Sequence, residues 1–345
     1  MAEKLAIGID IGGTKIASGV VDQDGVIIEK LRRETPSTSP AEVLNAIADI
    51  AETFRRNHHI HSIGIGAAGF VDATQSTVLF SPHLAWRNEP LRDAVFRRTG
   101  LPVLVDNDAN ASGWAEWRFG AAQNESDLVL ITLGTGIGGA LVIDGQTYRG
   151  HYGLAGEFGH MQVVPDGHPC ECGNKGCWEQ YASGRVLTRR ARAAATEGTE
   201  LGKLFLSAAG GKVELIEGSH VTATATDGNL EAIEWIAEVG QWLGIGIANL
   251  AAAFDPGLFV IGGGVSDAGD MLIEPARVAF SKALTGRGYR AEARIVRAHL
   301  GPEAGLIGAA DMSRLRARRR RPASPGARVR VRATARSSRS PRRQK

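Results

Sequence analysis

The sequence predicts an α/β protein built from two domains with similar beginnings. The chain has 345 residues, about twice the length of a typical domain. Apolar runs that suit buried strands alternate with stretches of helical spacing. One opening pattern, an apolar strand followed by a glycine–threonine turn and a returning strand, also occurs twice. Hydrophobic residues make up 43% of the chain and charged residues 22%, as expected for a globular protein with a substantial core.

The first third of the chain predicts strands and helices in α/β order. Apolar residues at Leu44, Ile47, Ile50 and Phe54 have the spacing of one helix face, and Asp24-Gly25 marks a turn between strands. The predicted strands are residues 5–10, 15–21, 26–31, 62–67 and 103–105, and the predicted helices are 41–58, 91–98 and 109–117.

A second start follows at residue 127 and repeats the opening pattern. Its strands, at 127–133 and 138–143, enclose the turn Gly134-Thr135-Gly136. The repetition predicts two related halves that each present a phosphate-binding hairpin to a cleft. Beyond it the sequence predicts an irregular loop at 159–176, helices at 230–253 and 303–315, and strands at 258–261 and 294–298.

The carboxyl-terminal segment has a charge unlike that of the rest. The last 32 residues hold 14 of the 40 basic residues and none of the 37 acidic ones, so the first 313 carry a net charge of about −11. Arginine, proline and serine dominate the segment, and residues 317–345 are therefore predicted to be a disordered basic tail. A solvated tail without a role in catalysis is favoured over one that binds nucleic acid non-specifically.

Composition also predicts the compartment. Asp10 interrupts the apolar run that begins at Leu5, which argues against a signal peptide. The longest apolar run, 242–254, falls short of the ~20 residues that span a bilayer. Three cysteines are an odd number, which excludes a disulfide scaffold. A cytoplasmic protein without membrane contact is expected.

Glycine-rich turns are candidate nucleotide-binding elements. Backbone N–H groups of such turns, together with a hydroxyl, can point at phosphate oxygens, and Asp10 could hold Mg²⁺, through water. At the first site the alternative interpretation is a plain hairpin turn. The presence of a second, similar hairpin favours the interpretation that both bind a nucleotide. The sequence has no P-loop. The candidate residues are Asp10, Gly12, Gly13, Thr14 and Lys15, then Gly134, Thr135, Gly136 and Gly138, and lastly Gly262, Gly263 and Gly264.

The segment Asp106-Asn107-Asp108 lies where a predicted strand meets a predicted helix. A carboxylate at this junction can accept the proton of an attacking hydroxyl during phosphoryl transfer. An ordinary Asn/Asp helix cap is the alternative. Spacing alone favours the cap.

All three cysteines fall within eight positions, and a histidine precedes them by ten residues. Three thiolates and an imidazole complete a closed structural zinc site; free buried cysteines are the alternative. His168 competes with His160 as the fourth ligand, and His160 is preferred. Glu157 and Glu179, held by such a loop, could bind neighbouring sugar hydroxyls or could simply be solvated acids. The predicted zinc ligands are His160, Cys170, Cys172 and Cys177.

In combination these motifs resemble the ROK family of repressors, open reading frames and kinases. The similarity covers essentially all of residues 4–313, and each motif is modest alone but specific in this order. The segments that carry it are 10–15, 64–69, 86–90, 106–110, 133–139, 157–160 and 170–179.

The resemblance implies an actin-like, hexokinase-type ATPase fold of two α/β domains around a cleft. One domain would comprise residues 1–109 with about 299–316, and the other residues 110–298 with the zinc loop. The implied activity is transfer of the γ-phosphoryl group of ATP to the 6-hydroxyl of glucose, with Mg²⁺ as catalytic and Zn²⁺ as structural ion. Asp108 would be the base, and the sugar would contact the backbone of Gly69 together with Asn107, Asp108, Glu157, His160 and Glu179.

Other members of the resembled family suggest alternatives. A kinase for fructose, mannose or N-acetylmannosamine, or a glucokinase that uses polyphosphate, would share the same motifs. A sugar-sensing repressor is less favoured, because the first hairpin begins at Asp10 and leaves no room for an amino-terminal DNA-binding domain. The resemblance also implies a homodimer or homotetramer, and no specific nucleic-acid partner is expected.

Overall fold

The computed structural model describes residues 4–320, so most of the predicted basic tail lies outside the described residues. The strands are β1 (Leu5–Ile11), β2 (Lys15–Val21), β3 (Ile27–Glu34), β4 (Ile60–Ala67), β5 (Phe70–Val71), β6 (Val78–Phe80), β7 (Arg87–Glu89), β8 (Val103–Asn107), β9 (Leu128–Leu133), β10 (Ile137–Ile143), β11 (Gln146–Tyr148), β12 (Leu258–Gly262) and β13 (Arg294–Arg297). The helices are α1 (Pro40–Arg55), α2 (Leu91–Thr99), α3 (Asp108–Phe119), α4 (Gly184–Glu197), α5 (Glu200–Ala208), α6 (Gly218–Thr226), α7 (Leu230–Phe254), α8 (Asp270–Ala283) and α9 (Ala304–Arg320).

Two five-stranded sheets have the same topology. The first has the order β3-β2-β1-β4-β8 and the second the order β11-β10-β9-β12-β13. In each, three antiparallel strands form a meander whose first strand is followed by two parallel neighbours. We call the parts built on these sheets the first and second lobes. The predicted repetition of the opening pattern is therefore a repetition of the whole sheet.

The register of the first sheet aligns the carboxyl ends of three parallel strands. Asp10 of β1 pairs with Gly66 of β4, and Gly66 pairs with Asp106 of β8. Side chains at the ends of neighbouring parallel strands meet at one edge of a sheet, where ligands bind in open α/β sheets. The chain thereby brings together Asp10 and the Asp106–Asp108 segment, which are nearly a hundred residues apart in sequence.

Helices α3 and α9 pack against each other and connect the lobes. Helix α9 lies on β1 and β4 of the first sheet, and α3 contacts β9 and β10 of the second. Helix α3 follows the last strand of the first sheet, and α9 follows the last strand of the second. The predicted domain boundaries near residues 109 and 299 fall at these two connections and stay a prediction.

Helix α7 is the central helix of the second lobe. Its apolar residues include Ile236, Leu243 and Ile247, which are fully buried, and it packs against α8. Within residues 4–320, α7 is the one helix long and apolar enough to cross a membrane by length and composition; 56% of the relevant window is buried inside the fold.

The carboxyl-terminal helix corrects the prediction for the basic tail. Helix α9 continues to Arg320, so residues 317–320, assigned to a disordered tail, are helical. Arg314, counted with the tail charges, is 1% exposed. Its guanidinium donates to the carboxylate of Asp311 at 2.8 Å and to the carbonyls of Lys4 and Val21 at 3.2 Å each. Composition alone did not distinguish this buried arginine from the basic residues that follow it.

Candidate active site

The geometry where β8 meets α3 bears on the two interpretations of the Asp106–Asp108 segment, a helix cap and a proton-accepting carboxylate. Asn107 is the helix cap, because its side-chain oxygen accepts hydrogen bonds from the backbone N–H groups of Ala109 and Asn110 at 2.9 and 3.1 Å. Asp108 is the first residue of the helix and accepts a bond from the N–H of Ala109 at 3.0 Å. The cap role falls to Asn107, which leaves the carboxylate of Asp108 available at the cleft.

Asp108 and Asp10 form an acidic pair at the edge of the first sheet. Burial raises the pKa of Asp108, although the N–H of Ala109 and the nearby His83 oppose the shift. Burial, and then the charge of Asp108, raise the pKa of Asp10 to about 7, while Lys15 lowers it. A bound divalent cation would stabilise the ionised forms of both carboxylates, which burial disfavours. Oxygen ligands of this kind suit Mg²⁺.

The first glycine hairpin lies beside this pair. The N–H of Gly12 donates to the carbonyl of Lys15 at 3.0 Å and closes the turn, and Thr14 and Lys15 are exposed. A side chain on Gly13 would place its Cβ 2.7 Å from the Cβ of His83. The hairpin is thus backed by His83, a neighbour that the motif itself did not predict.

The second glycine hairpin lies next to the Gly262–Gly264 segment in the second lobe. The N–H of Gly134 donates to the carbonyl of Gly136 at 3.0 Å. Gly263 has a φ of +80°, a conformation that favours glycine, and packs against the backbone of Leu133. Thr135 is exposed at the tip of the hairpin. These two predicted segments form one backbone-lined surface.

Two further acids extend the site into the second lobe. Desolvation, and then the charges of Asp108 and Glu179, raise the pKa of Glu157 to about 7. Glu179 is 8% exposed and lies so close to Gly136 that a Cβ there would clash with its Oε2 atom. The charge of Asp108 raises the pKa of both Asp10 and Glu157, and the charge of Glu179 raises that of Glu157, so these four acids lie near one another in the cleft between the lobes.

Gly69 and Gly138, two further predicted residues, belong to backbone segments that border the cleft. The side-chain amide of Asn107 donates to the carbonyl of Gly69 at 3.1 Å, and Gly69 has a φ of +145°. Gly138 pairs with Thr132 inside the second sheet, so it supports the hairpin from within a strand.

The four predicted zinc ligands converge. The ligand atoms of His160, Cys170, Cys172 and Cys177 all lie within 4.8 Å of one another. Cys172 Sγ and Cys177 Sγ are 3.6 Å apart, and Cys170 Sγ is 3.7 Å from His160 Nδ1. Tetrahedral zinc with Zn–S bonds of about 2.3 Å separates its sulfur ligands by about 3.8 Å. The donor set and its spacing therefore fit a structural zinc ion.

Two further observations concern the cluster and its neighbourhood. Burial and the neighbouring thiols raise the pKa of Cys177 to about 12, and a bound cation would favour its thiolate form. His168 stacks on Tyr181, with ring centroids 5.2 Å apart, and is outside the cluster. The arrangement is consistent with His160 rather than His168 as the fourth ligand, and the ligand set stays a prediction.

Sequence reasoning gave no role to Asp106, Gln75 or Arg149, although the structure joins them next to Asp108. Asp106 is the last buried residue of strand β8, and a polar residue that directly follows an apolar run is a local signal for a buried polar group. Gln75 and Arg149 have no such signal, because their contacts depend on tertiary structure.

The chain belongs to the ROK family, whose profile matches residues 6–315. It is 47% identical over 310 residues to a glucokinase of Streptomyces coelicolor, with 90% of this chain and 98% of that protein covered. It is 34% identical over 279 residues to a xylose repressor of Caldicellulosiruptor bescii, with 79% of this chain and 68% of the repressor covered.

A comparison with solved structures also indicates the ROK family. The fold matches that of a ROK family glucokinase from Streptomyces griseus in complex with glucose and AMPPNP, with a TM-score of 0.83 and 48% sequence identity. The match covers 90% of this chain and 99% of that one. The fold is thus that of the ROK sugar kinases, and the actin-like two-lobe architecture implied by the resemblance is confirmed.

Proposed function

We propose that the protein is an ATP-dependent glucokinase that transfers the γ-phosphoryl group of ATP to the 6-hydroxyl of glucose. The observation that carries the proposal is the position of Asp108, whose charge raises the pKa of Asp10, beside the first glycine hairpin, and that of Glu157 in the second lobe. The glucokinase relatives, at 47–48% identity over 90% of the chain, support the same activity. Glucose and the ATP analogue AMPPNP, which are bound in the Streptomyces griseus structure, fit the two kinds of surface in the cleft.

Asp108 is the proposed catalytic base. Its carboxylate takes the proton of the glucose 6-hydroxyl as that oxygen bonds to the γ-phosphorus, and the bond to the β,γ-bridging oxygen breaks to release ADP. Burial raises the pKa of Asp108, which makes the carboxylate a stronger proton acceptor than a solvated one. The first helical turn fixes its position, because Asn107 caps the helix immediately before it.

The other cleft residues divide into sugar and nucleotide contacts. Hydroxyl groups of the sugar are proposed to contact Asn107, Glu157, His160, Glu179 and the backbone of Gly69. The phosphates are proposed to contact the N–H groups of the two hairpins, with the adenosine along the third glycine segment. These assignments rest on the placement of the groups around one cleft and on the family motifs. The nucleotide-contact residues are Gly12, Gly13, Thr14, Lys15, Gly134, Thr135, Gly136, Gly138, Gly262, Gly263 and Gly264.

Two metal ions complete the proposal. When Mg²⁺ is bound it neutralises phosphate charge, and Asp10 is the residue proposed to hold it, directly or through water. Zn²⁺ is proposed to bind His160, Cys170, Cys172 and Cys177 and to hold the loop that contains Glu179. The zinc would act by positioning the sugar contacts rather than in the transfer itself.

A coupled assay for ADP release tests the activity directly. Glucose with ATP is expected to give the highest kcat/KM in a panel of glucose, fructose, mannose and N-acetylmannosamine, each with ATP and with polyphosphate. A higher kcat/KM for another sugar or for polyphosphate would reassign the substrate within the kinase class. No turnover with any of them, combined with sugar-dependent DNA binding, would instead favour the repressor function.

The state of the protein in solution is a separate part of the proposal. A homodimer or homotetramer in the cytoplasm is expected from the resemblance, with no specific nucleic-acid partner. Light scattering coupled to size-exclusion chromatography checks the oligomeric state, and a mass of one chain would contradict it.

A further inference from the structure

Asp106 is a fully buried carboxylate next to the proposed base, and the mechanism above does not use it. Four donors surround it. Oδ1 accepts from the N–H of Asn107 at 2.9 Å and from the amide of Asn110 at 3.1 Å. Oδ2 accepts from the amide of Gln75 at 2.7 Å and from the guanidinium of Arg149 at 3.0 Å. A buried charge with this many partners is held in one position.

The Oδ1 side of Asp106 holds the helical turn that carries Asp108. Asn107 and Asn110 lie on either side of Asp108 in sequence, and Asn110 is 1% exposed. Because both are bonded to the same oxygen, the first turn of α3 cannot shift without breaking a bond to a buried carboxylate. A misplacement of about 1 Å in a catalytic group can cost on the order of a hundredfold in rate.

The Oδ2 side connects this turn to the second lobe. Arg149 follows β11 and begins the segment that leads to Glu157, and its carbonyl accepts from the N–H of Ala155 at 3.0 Å. Within this segment, Gly153 lies against the first lobe so closely that a Cβ would be 2.6 Å from the carbonyl oxygen of Val71. The loop that ends at a proposed sugar contact is therefore docked on the lobe that holds the proposed base.

Gln75 strengthens the junction from the first lobe. It has a φ of +56°, which is uncommon for a residue with a side chain, and it is 8% exposed. Its side-chain oxygen accepts from Arg316 at 2.9 Å while its amide donates to Asp106. Its carbonyl accepts from the N–H of Val105 at 3.3 Å. A positive φ at a residue with a side chain persists only where the surrounding contacts hold it. The same contacts fix the side-chain amide of Gln75 as a donor to Asp106.

We infer that Asp106 and Arg149 form an interlobe latch that sets the position of Asp108 when the loop leading to Glu157 is docked. Arg149 is a positioning residue: it acts through Asp106 on the helical turn and does not touch substrate. The inference rests on the proposed role of Asp108 as base. It requires that loss of the Arg149 guanidinium lower kcat while ATP recognition by the hairpins is retained.

The test compares Arg149→Ala with a matched control, Arg118→Ala. Arg118 also lies at the contact of α3 with its neighbours and pairs with a buried aspartate, Asp311, at 3.2 Å. Its bond is nevertheless remote from Asp108, at the other end of the helix. Arg149→Ala is expected to lower kcat about 10- to 100-fold and to change the KM for ATP less than twofold. Arg118→Ala is expected to lower the thermal midpoint similarly but to keep kcat within twofold.

Rescue separates positioning from general destabilisation. Millimolar guanidinium ion should restore part of kcat in Arg149→Ala, because it can replace the lost donor to Asp106, and should have no such effect in Arg118→Ala. Arg149→Lys is expected to be intermediate in kcat. The inference is overturned if Arg149→Ala keeps kcat within twofold of the parent, or if both alanine variants lose kcat equally and neither is rescued.

The same measurements distinguish failure of the latch from failure of the proposed function. The kcat of each variant is divided by the kcat of the parent, and both are measured with the sugar that the parent turns over best. A parent without kinase activity would overturn the proposed function, whereas an active parent with an equally active Arg149→Ala variant would overturn the latch alone.

Discussion

The thiol of Cys170 and the carboxylate of Glu179 are in contact, with Sγ 3.1 Å from Oε1. A proposed zinc ligand therefore touches a proposed sugar contact. Glu179 also lies 3.8 Å from the imidazole of His160, a second proposed zinc ligand. Metal binding and sugar binding should consequently depend on each other, because a change at the cluster moves the carboxylate that faces the cleft.

Replacement of a single cysteine tests this dependence. Cys172→Ser is expected to lower bound zinc from about one ion per chain to a small fraction, because one of four ligands is lost. It should also raise the KM for glucose by about tenfold or more. Elemental analysis and glucose kinetics provide the two measurements.

The neighbouring His168 supplies the control for that experiment. His168→Ala should retain zinc and the parental KM for glucose, because His168 lies outside the cluster. A parent enzyme that contains no zinc after purification, or a Cys172→Ser variant with unchanged glucose kinetics, would contradict the coupling.

These features show which parts of the site the sequence could predict. The glycine hairpins and the cysteine cluster are local patterns, since the atoms that act together are within about 18 residues of each other. Asp10 and Asp108 were both predicted, but only the register of β1, β4 and β8 places them together. Local pattern thus indicates Asp10, the family resemblance indicates Asp108, and sheet topology determines their association.

Other features had no local signal. The sheet formed by β5, β6 and β7 has strands of two or three residues, too short to show a period. Arg149 reaches Asp106 across 43 positions of sequence. Arg314 belongs to a basic run by composition, and only packing against two backbone carbonyls and Asp311 accounts for its burial. In each case tertiary contacts outweigh what a sequence window can indicate.

Asp108→Asn tests the proposed base. We expect kcat to fall by about a thousandfold, within the range for loss of a general base, because the amide cannot accept the proton. The Kd for glucose should stay within about threefold, since the amide can still hydrogen-bond to the hydroxyl. Steady-state kinetics and calorimetric titration with glucose measure the two effects.

A matched variant for that experiment is Asp93→Asn, which changes an aspartate in the first turn of α2. It is expected to keep the parental kcat because this side chain is exposed and remote from the cleft. If Asp108→Asn retained a kcat within tenfold of the parent, another group would have to be the base.

Asp10 makes the stability of the metal-free protein depend on pH. Its pKa is about 7 in the folded protein against 3.8 ordinarily, so the folded protein binds more protons than the unfolded chain between these values. Stability is therefore lost as the pH rises through this window, by about 4 kcal/mol at most above pH 7. Asp10→Asn removes the charge and should raise the free energy of unfolding at pH 8 more than at pH 5, while weakening the binding of Mg²⁺–ATP.

Urea denaturation at the two pH values, without Mg²⁺, measures this difference. Asp24→Asn, in an exposed turn, is the control and should change stability equally and slightly at both pH values. If the Asp10→Asn variant is no more stable than the parent at pH 8, the buried charge of Asp10 does not lower the free energy of unfolding.

Glu116 holds the second connection between the lobes. Its side chain is fully buried, and its carboxylate accepts hydrogen bonds from the N–H groups of Ala121, His299 and Leu300, at distances from 2.7 to 3.1 Å. Glu116→Gln places a donor against these donors and should lower the free energy of unfolding by about 2–3 kcal/mol. Denaturation is the measurement, and the exposed Glu52→Gln should change stability by less than about 0.5 kcal/mol. An equal effect of the two substitutions would contradict the role of Glu116.

The place at which the chain can be shortened follows from Arg314 and Arg316. A chain that ends at Ser313 loses the buried guanidinium that pairs with Asp311, although Arg118 remains as a partner, and this loss should lower the free energy of unfolding by about 2–3 kcal/mol. It also loses the bonds from Arg316 to Gln75 and Thr74. A chain that ends at Arg320 keeps all of these contacts, so we expect its kcat and KM for glucose to match those of the full chain within twofold. Thermal denaturation and the ADP-release assay on the three lengths provide the comparison, and a loss of activity in the chain ending at Arg320 would assign a role to residues 321–345.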